Sequence, residues 1–363
     1  MKIAVLTFFE SENYGTVLQA YATQRYLEGL GHTVNLLHIK RMVNGASNHY
    51  KKSKTKPTLM GKIKYKIVTI LTKKDVERKS KSFDDFRKNY LSISKYYQSE
   101  DELKNDLEDY DLFISGGDQI WNPYHKVFSL NYMFNFLGGD KRRIAYGSSF
   151  GVGEIKDFNL LASMKECLEK YQAIGVREKS GVGIINNMGL NAKQVVDPVF
   201  LLNNEWQEIM CKKPIKKKYC LVYALIGYPE EERKKISDFA KKKNLEVVIL
   251  PYNRQNSLNN FKKGFSLSPQ EFLAYIHSAE YVFTNSFHGL AFSILFKKQV
   301  FLLGCDSEEG LAKRERLTDV LSQFDIGSRE LGEDKAIDYD RVFETMQKHI
   351  ESSKSYIIES IKG

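Results

Sequence analysis

The sequence predicts an α/β protein built from two doubly wound, Rossmann-like domains that face one another across a cleft. Three observations point there. Short apolar runs alternate with helix-spaced segments along most of the chain. At 363 residues the chain exceeds what one small core can organise. Polar, glycine-bearing clusters recur where the apolar runs end, and sheets of this kind bind ligands beyond the carboxyl ends of their strands.

The elements follow in order. "KIAVLTFF" is a short apolar run with polar residues after it, as a buried strand requires. Leu18, Ala22, Tyr26 and Leu30 then recur every four residues, and Gly31 stands where a helix C-cap belongs. "HTVNLLHI" closes a β-α-β unit. Further strands are expected at "YDLFISGG", "RRIAYGSS", "AIGVR" and "KQVVDP". The second half repeats the alternation: strand "YCLVYALIG", helix "EEERKKISDFAKKKN", strand "LEVVILPY". Ser268, Pro269 and Glu271 supply a cap, a first-turn proline and a capping-box acid ahead of "FLAYIHSA". Strand "YVFTNS", helix "GLAFSILFKK" and strand "VFLLG" complete the set, and Asp340 to Lys362 reads as a long terminal helix. The expected domains are 1–203, with a basic insertion at 45–90, then 204–335, then the helix 336–363.

Charge and cysteine content narrow the function classes. The net charge of +10 sits in one segment, because Lys51 to Lys88 holds fourteen Lys or Arg against four Asp or Glu. A solvated, mobile insertion is the plain expectation for such a run. It contains no recognisable nucleic-acid-binding module, so no nucleic-acid partner is expected. Within it Leu59, Ile63, Ile67, Ile70 and Leu71 lie at helical spacing among lysines, and a basic amphipathic helix of that kind can rest on an anionic membrane surface. No stretch reaches the roughly twenty apolar residues of a membrane span, and the first residues read as a strand, not a signal peptide. Cys167, Cys211, Cys220 and Cys305 are far apart, without CxxC or metal-ligand spacing. Free thiols in the cytoplasm and no metal are the expectation.

Five polar clusters fall at strand ends: "ENYGT" (12–16), "SGGDQIWN" (115–122), "GSSFG" (147–151), "VREKS" (176–180) and "TNSFHG" (284–289). Each alone is ordinary turn chemistry, but five at equivalent positions outline a site. Arg177, delivered by a strand, either pairs with a carboxylate such as Glu178 or clamps a carboxylate or phosphate with its planar fork. Asp118 is either an Asx turn or a base for a hydroxyl. Ser286 and Gly289 flank His288 at a helix start, where free amides favour an anion. His288 itself is either a satisfied core residue or an acid/base at neutral pH. "GSSFG" matches G-x-S-x-G, with Ser149, Asp197 and His288 in α/β-hydrolase order, but no helix follows the serine directly, so a nucleophile elbow is not expected.

"NYGTVLQAYATQRYLEGLGHTV", "DLFISGGDQIWNP", "RRIAYGSSFG", "GVREKSGV", "VVDPVFLL" and "EYVFTNSFHGLAFSILFKK", in this order and spacing, resemble the polysaccharide pyruvyl transferase family. The resemblance runs to about Lys298 and omits the basic insertion and the stretch from Trp206 to Lys218. It departs at Gly117, where relatives often carry serine. It implies a glycosyltransferase-B-like fold and transfer of pyruvate from phosphoenolpyruvate to a sugar as a ketal, with release of phosphate and no separate cofactor. The implied partners are phosphoenolpyruvate and a saccharide acceptor, free or lipid-linked. The expected location is the cytoplasm, at the inner face of the membrane if the segment 51–88 docks there. Under this reading His288 is acid/base or phosphate ligand, Arg177 clamps the anion and Asp118 is a base on the acceptor. Asn13, Tyr14, Gly15, Gly116, Gly117, Gln119, Ser286, Gly289 and Arg316 contribute to binding. Two rival classes share the fold: a nucleotide-sugar glycosyltransferase, and a non-catalytic glycan- or membrane-binding protein.

Overall fold

The computed structural model describes residues 1–40, 70, 72–202, 204–211, 217–251, 266–304, 308–332 and 335–363. Seven parallel strands form the first sheet: β1 (Lys2–Leu6), β2 (Thr33–Ile39), β3 (Ile93–Tyr97), β4 (Leu112–Gly116), β5 (Arg143–Ser148), β6 (Ala173–Val176) and β7 (Lys193–Gln194). They lie in the order β3-β2-β1-β4-β5-β6-β7, so the winding reverses between β1 and β4. A crevice for ligands opens at such a reversal. Its helices are α1 (Tyr14–Gly29), α2 (Lys73–Tyr90), α3 (Glu100–Leu107), α4 (Phe158–Leu168) and α5 (Lys179–Asn187).

After the short helix α6 (Glu205–Ile209), a second parallel sheet holds β8 (Tyr219–Ala224), β9 (Glu246–Pro251), β10 (Tyr281–Thr284) and β11 (Gln299–Leu302), ordered β11-β10-β8-β9. Helices α7 (Glu230–Lys242), α8 (Pro269–Ser278), α9 (Phe287–Leu295) and α10 (Glu308–Gln323) accompany it, and α11 (Tyr339–Lys362) ends the chain. The capping box read at Ser268 and Glu271 is present.

One hydrophobic cluster runs through both domains, because α1 lies between the two sheets and is buried on most of its circumference. Tyr14 stacks on Phe272 of α8 with ring centroids 4.4 Å apart, and its hydroxyl donates to the Leu267 carbonyl at 3.2 Å. Trp206 sits between Tyr21 of α1 and Phe292 of α9, its indole N–H donating to the Val199 carbonyl. The terminal helix is not a free tail. Val342, Met346, Ile350, Ile357 and Ile361 are buried, and α11 packs back on the first sheet, where Tyr356 donates to the Ala145 carbonyl and Ser353 accepts from Val196 N–H.

The basic segment differs from a solvated run over the part that is described. Helix α2 buries Lys79, Phe83 and Phe86 along one face, with the Lys79 ammonium 5.3 Å from the Tyr14 ring centre. Arg87 donates to the Glu10 carbonyl, and Arg78 reaches Glu271 of α8 at 3.1 Å. The rest of the segment, including all of its amphipathic stretch but Ile70, lies outside the described residues. Strand β3 and helices α3 and α10 go beyond the sequence reading: "ISKYY" at the sheet edge keeps two exposed residues, so its alternation is faint, whereas α3 does open on a Ser-x-x-Glu cap at Ser99. No helix among the described residues is long and apolar enough to cross a membrane.

Because Phe83 is fully buried against Tyr14, Phe83→Ala should cost about 3–5 kcal/mol, read by urea unfolding. Lys81→Gln on the exposed face should change stability by less than about 0.5 kcal/mol.

Candidate active site

The carboxyl ends of β1, β4, β5, β6 and β10 converge with the loop after β7. Helix α9 begins at the end of β10: Ser286 is its N-cap and accepts from Gly289 N–H, which leaves the Phe287 and His288 amides uncapped in the first turn. Helix α1 begins opposite. Asn13 caps it by accepting from Gly15 and Thr16 N–H, and Gly15 lies against the His288 ring. A Cβ on Gly15 would stand 2.0 Å from His288 Nδ1, so only glycine allows the two helix starts this close. Two positive helix ends thus flank one imidazole.

His288 is 7% exposed, and its Nε2 has no hydrogen-bond partner among the described residues. The Oδ2 of Asp197 lies 3.7 Å away, too far for a hydrogen bond but within reach of a small ring rotation. Asp197 follows β7, where its Oδ1 accepts from Val199 N–H and caps a 3₁₀ turn at Pro198–Leu201. Its Oδ2 also accepts from Arg177 Nη1 at 2.8 Å. Burial opposes ionisation of this carboxyl, yet the His288 and Arg177 charges prevail and hold it at about 2.

Arg177 is fully engaged. Besides Asp197, its Nη2 donates to Ser149 Oγ at 3.1 Å, its Nε lies 3.7 Å from Glu178, and Phe287 stacks on the guanidinium. Burial alone would lower its pKa, but the Asp197 and Glu178 carboxylates more than compensate and raise it. The reading in which Arg177 pairs with carboxylates describes this arrangement. Ser149 is fully buried, donates to Glu178 at 2.9 Å and has no hydrogen bond to His288 among the described residues. No helix follows it until Phe158, so no nucleophile elbow forms.

Asp118 follows β4 in the left-handed region, at φ 49°. Its Oδ2 accepts from Thr16 Oγ1 at 2.6 Å and its Oδ1 from Gln119 N–H at 2.8 Å. Neither contact is that of an Asx turn, which takes the N–H two residues on, and the side chain is only partly buried at the crevice between β1 and β4. Gly116 ends β4 against the Tyr146 backbone. Gly117 has φ 70°, and a Cβ there would meet the Gln19 side chain at 1.7 Å, so a side chain at this position would be strained. Gln119, with its amide turned to face Arg316, accepts from that guanidinium at 3.1 Å. Arg316 comes from α10 and is buried. Of the residues expected at the site, Tyr14 alone is committed elsewhere, to the layer between the domains.

Asp197, Glu178 and Thr16 complete the cluster and carried little sequence signal. "VVDP" shows an acid after a strand, but nothing in spacing reveals that its carboxylate meets Arg177 and His288. Among the described residues no group of His, Cys, Asp and Glu is arranged to hold a metal ion.

The two facing parallel domains with a site between them define a glycosyltransferase-B-like architecture. Solved structures agree. The UDP-GlcNAc 2-epimerase from Methanocaldococcus jannaschii superposes with a TM-score of 0.51 at 11% identity, covering 96% of this chain and 92% of that one. A putative UDP-N-acetylglucosamine 2-epimerase from Listeria monocytogenes gives 0.50 at 9% identity, covering 98% and 89%. An alpha-glucosyltransferase solved with UDP and a 13-mer DNA gives 0.50 at 11%, covering both chains in full. At such identities the likeness is one of fold. No curated protein matches the sequence. The profile of the polysaccharide pyruvyl transferase family, however, matches residues 13–307, and the chain belongs to that family of transferases.

Two outcomes follow from this geometry. Gly15→Ala should displace the His288 ring and lower pyruvyl transfer at least tenfold while the protein stays folded, as circular dichroism and turnover together would show. Asp197 is depressed from 3.8 to about 2, so its stabilisation is present above pH ~4 and lost as pH falls toward 2. Unfolding midpoints across that window should record a loss of about 2 kcal/mol, and Asp197→Asn should flatten the dependence.

Proposed function

We propose that this protein transfers pyruvate from phosphoenolpyruvate to a sugar of a cell-surface polysaccharide or its precursor, forming a ketal and releasing phosphate. One observation carries the reading: a buried imidazole with an unpartnered Nε2 stands between two helix N-termini. Phosphoenolpyruvate is a small multiply charged anion that needs both an anion site and a proton, and this arrangement offers both.

His288 delivers its Nε2 proton to the methylene carbon of the donor. C2 becomes an oxocarbenium-like centre, and one acceptor hydroxyl adds to it. Phosphate leaves with the C2–O bond pair, and a second hydroxyl closes the ketal. Two hydroxyl protons are released and one is gained by carbon, so His288 is restored and phosphate carries the remainder. Asp197 stands 3.7 Å from that Nε2 without a hydrogen bond to it, and its own place is fixed by Arg177 and Val199 N–H. Asp118, partly exposed on the first-domain side, accepts the proton of the attacking hydroxyl and passes it to the departing phosphate. The uncapped amides of α9 face the phosphate as its charge grows.

The acceptor lies on the first domain, on the Asp118 side of the cleft. A cytoplasmic protein whose basic segment 51–88 touches an anionic membrane would meet a lipid-linked acceptor there.

His288→Gln should fold as wild type and lose transfer by roughly a hundredfold or more, the usual scale for a general acid. The measurement is phosphate release from phosphoenolpyruvate over a panel of acceptor glycans, with UDP- and GDP-sugars as controls that should not turn over. Near-normal release by a folded His288→Gln protein would remove the histidine from the chemistry.

A further inference from the structure

Two arginines are buried beside His288, and their surroundings differ in kind. Every nitrogen of Arg177 faces a protein partner: Asp197 at 2.8 Å, Ser149 at 3.1 Å and Glu178 at 3.7 Å. Its charge is answered within the fold. Arg316 has no carboxylate within ion-pair distance among the described residues. Its hydrogen-bond partner is the neutral amide oxygen of Gln119, and its Nε has none. A guanidinium that is 9% exposed, with a free donor and a neutral partner, is costly without an anion. Burial first, and then the neighbouring Arg177 charge, press its pKa down to about 10, although the Glu178 and Asp118 carboxylates, beyond ion-pair distance, offset part of that.

Resting on the pyruvyl-transfer reading, we infer that Arg316 is the guanidinium that takes the anionic group of the donor, while Arg177 is a positioning residue that holds Asp197 at His288. Gln119 occupies the fork in the absence of the anion. The amide oxygen sits on the Nη1 and Nη2 side, and a phosphate or carboxylate oxygen replaces it with a charge-assisted, bidentate contact. The exchange is local to the cleft, because Gln119 stands between Asp118, which binds Thr16 of α1, and Gly151, whose Cα the Gln119 side chain closely approaches. Arg316 belongs to the second domain and Gln119 to the first, so the arriving anion acts on the contact that ties them.

The test compares Arg316→Gln, Arg316→Lys and Arg177→Lys with wild type, using phosphoenolpyruvate, inorganic phosphate and pyruvate as separate ligands. Melting temperature is read without ligand, and dissociation constants come from calorimetry. Arg316→Gln should keep its ligand-free melting temperature and weaken phosphoenolpyruvate binding roughly tenfold to a hundredfold. Arg316→Lys keeps the charge without the fork and should fall between. Arg177→Lys should lower the ligand-free melting temperature, because Asp197 and Glu178 lose their shared partner. A loss confined to inorganic phosphate assigns the fork to the phosphate, and one confined to pyruvate assigns it to the carboxylate. Undiminished binding of all three ligands by Arg316→Gln overturns the inference. If wild type binds phosphate through Arg316 yet releases none from phosphoenolpyruvate with any acceptor, the donor reading fails and the arginine assignment stands.

Discussion

The site depends on one buried carboxylate. Asp197 takes an amide from the turn that follows it, a guanidinium from β6 and the approach of an imidazole from the other domain. A carboxylate without these partners would not stay ionised in a fully buried position. The amide and the guanidinium are hydrogen-bonded to its two oxygens, and the imidazole stands just outside hydrogen-bond reach. The nearby Ser149 and Glu178 extend the arrangement by satisfying the remaining donors of Arg177. What looked from the sequence like separate strand-end motifs is one electrostatic unit.

The architecture was legible because its signals are local. Buried parallel strands are continuous apolar runs, and "KIAVL", "YCLVYA" and "YVFT" became strands as their patterns required. The Ser268 cap, the terminal helix and the carboxyl end of α1 were legible for the same reason. Strand β3 was not, since an edge strand with one buried residue has little pattern to show. Charge also misled locally. A segment rich in lysine reads as solvent-facing, yet α2 buries Phe83 and Phe86 at helical spacing and drapes its charges outward.

The site was legible in membership and less so in roles. His288, Asp118 and Gln119 lie around one cleft, as positions after strands allow, whereas Arg316 reaches it from inside α10. Whether a guanidinium is spent or free is a different matter. It depends on residues far apart in the chain: twenty positions separate Arg177 from Asp197, and nearly two hundred separate Gln119 from Arg316. Spacing carries no trace of such pairings, whereas hydrogen bonds read from coordinates show them at once. Gly15 is the intermediate case. Its place in a strand-end cluster was apparent, but its reason, the imidazole pressed against it, came from the opposite domain.

The return of α11 to the first sheet has a consequence for biosynthesis. The buried backbone of β5 at Ala145 and the Val196 amide are satisfied by Tyr356 and Ser353, which leave the ribosome only after the whole second domain. Until then the nascent first domain exposes an apolar face that its own sequence cannot cover. The first domain of this chain therefore reaches its final packing only after the second domain has been made.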